Sequence, residues 1–139
     1  MARVNQLLVL RLVPKAIVLP QAPVQVSRIS APEPDFSILL LRNDFYLGER
    51  PSPANSYALI ECADTSLRYD RGKKLGVYAR GGVREYWIIN LVDRCVEIHR
   101  QPHELGYTTQ RIHRPGETVA FAAIPDVTFT VDEILGPPP

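Results

Sequence analysis

Two acids in this chain stand where buried strands should begin and end. Asp35 lies directly before the apolar run Phe36 to Leu41, and Glu61 follows Ala58, Leu59 and Ile60 in the stretch ALIECADTS. An unpaired buried charge is costly, so each carboxylate calls for a partner. Neighbouring strands would hold the two acids near each other, and such a pair suits a hard cation. Magnesium takes oxygen ligands from one or two side chains and completes its shell with water and substrate phosphate; manganese can stand in for it. A lysine beside the pair can orient an attacking water or neutralise charge developing on phosphorus.

Lys74 is the candidate lysine. It lies in LRYDRGKKLGVYAR, which Thr65 or Ser66 can cap and Gly81 and Gly82 end, so the stretch is predicted to be a helix. At 100° per residue Leu67, Asp70, Arg71, Lys74 and Tyr78 share one stripe, with Leu75 and Ala79 beside it. The face next to a sheet would then be partly polar, and Asp70, Lys74 and Tyr78 would need partners there. Glu61 is the nearest. The spacing also admits a plainer reading, since Asp70 and Lys74 are i,i+4 and such pairs are often solvated ion pairs worth about 0.3–0.5 kcal/mol. Asp64 reads as a cap for the helix or its approach.

The same helix carries Arg68, Arg71, Lys73, Lys74 and Arg80, followed by Arg84, against the single acid Asp70. That excess can track a phosphate backbone or simply be a solvated surface. The overall charge of +1 points to no polyanion. His99, His103 and His113 lie in predicted strand or loop and read as surface residues, which argues against a zinc site. Cys62 and Cys95 have no ligand or disulfide spacing; Cys62 reads as a small buried residue, and a reducing cytoplasm is the expected location. No glycine-rich phosphate loop is present, and no run approaches the roughly 18–20 apolar residues that span a bilayer, so no membrane role is expected.

The elements that must position these residues follow from period and breakers. Val4 to Val13 reads as a helix limited by Pro14. Ala16 to Leu19, Val24 to Ile29, Phe36 to Leu41 and Tyr57 to Cys62 read as extended chain, with Pro20 and Pro23 favouring an edge or bulge. REYWIIN and CVEIHRQ flank LVDR as a hairpin, with Tyr86 and Trp87 as packing residues, and weaker alternation follows in TTQRIHR and VTFTV. The order implies a mixed α/β or α+β layer fold with a central sheet carrying helices, and the expectation adopted is α/β, a mixed central sheet flanked by helices, in one domain over residues 1–135. Pro137 to Pro139 end the chain in a tail, residues 136–139, expected to be disordered.

Asp35 in PEPD and the segment YALIECADTSLRYDRGKKLGVYARGGVREYWIIN resemble the Uma-two-type restriction endonucleases of the PD-(D/E)xK superfamily. The similarity runs from about Val4 to Leu135 and is dense from Leu59 to Asn90. It implies a restriction-endonuclease-like fold and a metal-dependent DNA endonuclease in which Asp35 and Glu61 hold magnesium or manganese and Lys74 assists the water. Asp70 and Tyr78 would support that set, and Arg68, Arg71 and Lys73 would contact nucleic acid. The superfamily's usual lysine falls two residues after the second acid, where this chain has Ala63, so the resemblance implies a lysine moved to the helix. It also implies a chain that is N-terminally short for the family, hence an alternative: an inactive or truncated nuclease-fold module that binds nucleic acid or protein. A homodimer is expected by analogy with nucleases that cut both strands.

Overall fold

The computed structural model describes residues 1–139. Its centre is a six-stranded sheet in the order β1 (Ile17–Pro20), β2 (Phe36–Leu39), β3 (Ser56–Ala63), β4 (Glu85–Asn90), β5 (Cys95–His103) and β6 (Gly106–His113). Only β3 and β4 are parallel; every other neighbouring pair is antiparallel. The parallel step needs a crossover, which α2 (Leu67–Tyr69), a π-helical turn (Asp70–Lys74) and α3 (Leu75–Arg80) supply without a break. Helix α1 (Ala2–Leu12) precedes the sheet. A small hairpin, β7 (Thr118–Phe121) with β8 (Ile124–Thr130), and a short α4 (Val131–Leu135) follow it.

Strand β4 explains why the sheet needs two covers. All six of its residues are buried, as expected for a central strand packed on both faces. Trp87 and Ile89 point to one face, where they meet Val4, Leu8 and Leu12 of α1, Phe121 and Phe129 of the small hairpin, and Ile134 and Leu135 of α4. Trp87 stacks on Phe121 at 4.2 Å between ring centroids. Tyr86 and Ile88 point to the other face, against Tyr78 and Val83, with Val24 and Val26 completing that smaller core.

Three expectations need correction. Val24 to Ile29 is an irregular loop rather than a strand: Val24 N–H donates to Pro32 O and Val26 N–H to Ser30 O, a local fold that prolines on both sides favour. The predicted helix is interrupted by the π-turn. His99 is buried, 3% exposed, and its ring lies 5.8 Å from that of Tyr86 and 5.9 Å from that of Tyr107. The β7 strand and α4 lay unread in the sequence, although Thr-Val-Asp-Glu is a capping box: Thr130 Oγ1 accepts from Glu133 N–H at 3.0 Å, and Glu133 accepts from Thr130 N–H at 2.8 Å. Thr130→Ala is expected to cost about 1 kcal/mol in urea unfolding.

The His99 burial carries a pH dependence. Burial lowers its pKa from 6.5, Arg71 adds to the fall and Glu97 opposes it, while Nε2 has no partner to hold a proton against. Below pH 6.5 the unfolded chain therefore binds more protons than the folded one. The stability contribution is full above pH 6.5 and is lost as pH falls through the lower folded value. Replacing His99 by Phe, which keeps an aromatic ring there, is expected to flatten this acid limb when urea midpoints are compared at pH 7.5 and pH 5. An unchanged slope would assign the limb to other groups.

Candidate active site

The acids meet at one end of the β2–β3 pair. Register places Phe36 opposite Ile60, so Asp35 and Glu61 continue the two strands side by side. Their polar atoms interlock: Cys62 N–H donates to Asp35 Oδ2 at 2.7 Å, and Asp35 N–H donates to Glu61 Oε1 at 3.3 Å. Strand alternation turns Glu61 toward the crossover helices, where it is 3% exposed.

From the helix side, Tyr78 Oη donates to Glu61 Oε2 at 2.7 Å, and Lys74 Nζ lies 3.0 Å from the same oxygen. Asp70, 2% exposed, takes the far side of the lysine at 3.8 Å and accepts from Ser66 Oγ at 2.7 Å. Tyr86 Oη donates to Asp70 O at 3.0 Å. The structure therefore brings Asp35, Glu61, Asp70, Lys74 and Tyr78 into one cluster, and the partly polar helix face finds its partners there. The i,i+4 pair is inside this cluster, with the Lys74 side chain only 19% exposed, rather than on a solvated face.

Burial dominates the electrostatics. It lifts the Glu61 carboxyl to about 7, against the Tyr78 hydroxyl and Lys74, which pull it down; Asp35 adds to the rise. Asp70 is raised for the same first reason, opposed by Ser66 and Lys74. Burial pulls Lys74 down, but Glu61 and Asp70 outweigh it, so the amine stays above its usual value and holds its proton. Tyr78 is raised by burial and by Glu61 and remains a phenol, a donor that fixes the carboxylate. Burial, reinforced by Asp35, pushes the Cys62 thiol up to about 12, which makes it inert as a nucleophile.

This donor set fits a hard divalent cation. Asp35 Oδ1 has no protein hydrogen bond and Glu61 Oε1 has a single long one, so both keep lone pairs to give. A buried carboxyl lifted partly by a second acid is one that a cation would relieve. No group of three His, Cys, Asp or Glu side chains is arranged around a metal position.

The basic residues separate. Arg68 and Lys73 are exposed. Arg71 is committed to Glu97 on β5, a carboxylate with 0% side-chain exposure: Nε donates to Oε1 at 3.0 Å, Nη2 also bonds Oε2, and Asp93 lies 3.6 Å away. Asn90 Nδ2 donates to the same Glu97 at 2.8 Å. Glu97 was not singled out from the sequence; CVEIHRQ reads as plain strand alternation, and only the buried position reveals the acid. Asp64 is exposed, and the first turn of α2 has no side-chain cap, because Ser66 gives its hydroxyl to Asp70 instead.

Comparison with known proteins agrees with this architecture. The family model Uma2, described as "Putative restriction endonuclease", matches residues 2–132. No curated protein matches. Among solved structures, the crystal structure of a putative nuclease belonging to DUF820 from Anabaena variabilis ATCC 29413 is similar, with a TM-score of 0.65 and 14% sequence identity. The similarity covers 96% of this chain and 74% of that one, and at such identity it concerns the fold.

Proposed function

Because the chain belongs to the Uma2 family, we propose that it is a metal-dependent endonuclease that hydrolyses phosphodiester bonds in DNA. The observation that carries this reading is the buried Glu61, interlocked with Asp35 and bound 3.0 Å from the Lys74 ammonium. Asp35 and Glu61 would hold magnesium or manganese, which supplies Lewis acidity toward a phosphodiester. Tyr78 fixes the Glu61 carboxylate, and Asp70 holds the lysine from the other side. Lys74 acts as a fixed positive charge for the pentavalent transition state and not as a base, because its acids keep it protonated. Arg68 and Lys73, exposed on the same crossover, contribute charge toward the DNA backbone, whereas Arg71 is held back by Glu97. Two copies of the chain would cut both strands.

Incubating the purified chain with plasmid tests this directly. Nicking that needs magnesium and is absent in an Asp35→Ala, Glu61→Ala double variant is the expected result; equal nicking by both proteins would remove the assignment. One observation favours a second reading, a nuclease fold that binds without cutting: Asp70, the third acid of the cluster, is taken up by Ser66 and Lys74, which leaves two carboxylates for an ion. Calorimetric titration with manganese separates the two, since the non-catalytic reading gives no heat that depends on Glu61. No helix is long and apolar enough to cross a membrane.

A further inference from the structure

The face of the sheet opposite the acid cluster holds a cavity of about 640 Å³ between β5, β6 and the small hairpin. Alternation puts Glu85, Ile98 and Arg100 on this face, with Arg111 opposite Ile98 and Thr109 opposite Arg100. None of its lining residues belongs to the Asp35–Glu61–Lys74 cluster.

Charge in this cavity is unbalanced. Glu85, 2% exposed, is its one acid and is saturated: Arg100 Nε donates to it at 2.9 Å, Trp87 Nε1 at 2.5 Å and Ala122 N–H at 3.0 Å. Arg100 spends a further N–H on Ala120 O at 2.8 Å. Arg111 is exposed, and its guanidinium makes no hydrogen bond or ion pair within the chain. Arg84 donates once, to Ser56 O at 3.1 Å, and lies 5.8 Å from the Tyr57 ring. Three guanidiniums against one carboxylate leave two positive charges, both on forks with donors to spare. Guanidinium forks match phosphate oxygens in pairs, and two of them match a dianion better than a monoanion. Tyr57, Ile98 and Ala122 give the same cavity an apolar wall, and its size lies within the usual range for a small-molecule site.

We infer that this cavity is a second ligand site, taking a phosphate monoester of mononucleotide size, with Arg84 and Arg111 on the phosphate and the apolar wall against the ring system. The phosphate can come from a free nucleotide or from the 5′ end of a nucleic acid.

The test is calorimetry on the full chain in the presence of EDTA, so that metal-dependent cleavage plays no part. A 5′-mononucleotide is expected to bind saturably and its nucleoside about 10-fold more weakly or worse. Arg111→Gln and Arg84→Gln are each expected to weaken nucleotide binding about 10-fold or more, while Arg28→Gln, in an exposed loop, leaves it unchanged. Thermal melts of the variants matching the parent exclude unfolding as the cause. A 5′-phosphorylated oligonucleotide that binds tighter than the mononucleotide through Arg111 assigns the pocket to nucleic-acid ends, and one that binds more weakly assigns it to free nucleotides. Absence of saturable binding, equal affinity for the nucleoside, or an unaffected Arg111→Gln variant would overturn the inference, whatever the outcome of the plasmid assay.

Discussion

Glu61→Gln is expected to reduce magnesium-dependent cleavage about 100- to 1000-fold, the scale seen when one group aimed at developing charge is removed from an active site. The substitution keeps the volume of the side chain and an acceptor for Tyr78, so the metal-free variant should fold. It removes a charge that burial already disfavours and leaves Lys74 with Asp70 as its remaining partner. A second readout separates chemistry from folding. An ion that binds only the folded parent at 100 times its dissociation constant adds about 2.7 kcal/mol of stability. Thermal melts with and without magnesium should therefore show a rise for the parent and little for Glu61→Gln. A variant that keeps the rise but loses cleavage would move the ion away from Glu61; one that keeps both would remove this carboxylate from the site.

Arg71→Ala is the second large effect, and it concerns stability. The guanidinium is the only cation bonded to Glu97, whose side chain is fully buried. Stripped of it, Glu97 would keep the single Asn90 amide and face an apolar interior. Breaking a buried pair from one side costs roughly 3–5 kcal/mol; because Arg71 is itself 41% exposed, water can partly replace it, and a loss of about 2–3 kcal/mol is expected. Adding Glu97→Gln should recover most of that loss, since the orphaned charge disappears. Urea unfolding of the two variants measures both numbers. A single variant within about 0.5 kcal/mol of the parent would mean that the pair contributes little net stability.

The acids were legible because each stood beside an apolar run, a violation of strand patterning that a reader can see without coordinates. Lys74 and Tyr78 were legible as polar members of one helical stripe that would need partners, and both meet Glu61. The layering of helices on a central sheet followed from the alternation of strand and helix; the parallel pairing of β3 with β4 came only with the structure. Other features depended on contacts remote in sequence. Glu97 meets Arg71 across the crossover, and Glu85 meets Arg100, Trp87 and Ala122; nothing in the local spelling of CVEIHRQ or REYWIIN marks an acid as buried. His99 was misplaced for the same reason: only the packing of Tyr86 and Tyr107 removes it from water. The valines of the Val24 to Ile29 segment have the composition of a strand, but its amides are spent within the loop.

The widened turn at Asp70–Lys74 divides the crossover into two phases. Leu67–Tyr69 and Leu75–Arg80 each keep ordinary helical gearing, and the widened turn between them takes up more residues per turn than an α-turn would. Deleting a residue between Asp70 and Lys74 would turn that i,i+4 ion pair into an i,i+3 one. Composition within the segment is freer than its length: a methyl group built on Gly72 meets nothing within 4 Å. The polar cluster spans that turn, with Asp70 and Lys74 inside it and Tyr78 beyond it, so an indel of a single codon between the acid and the lysine is expected to be less tolerated than a substitution at Gly72.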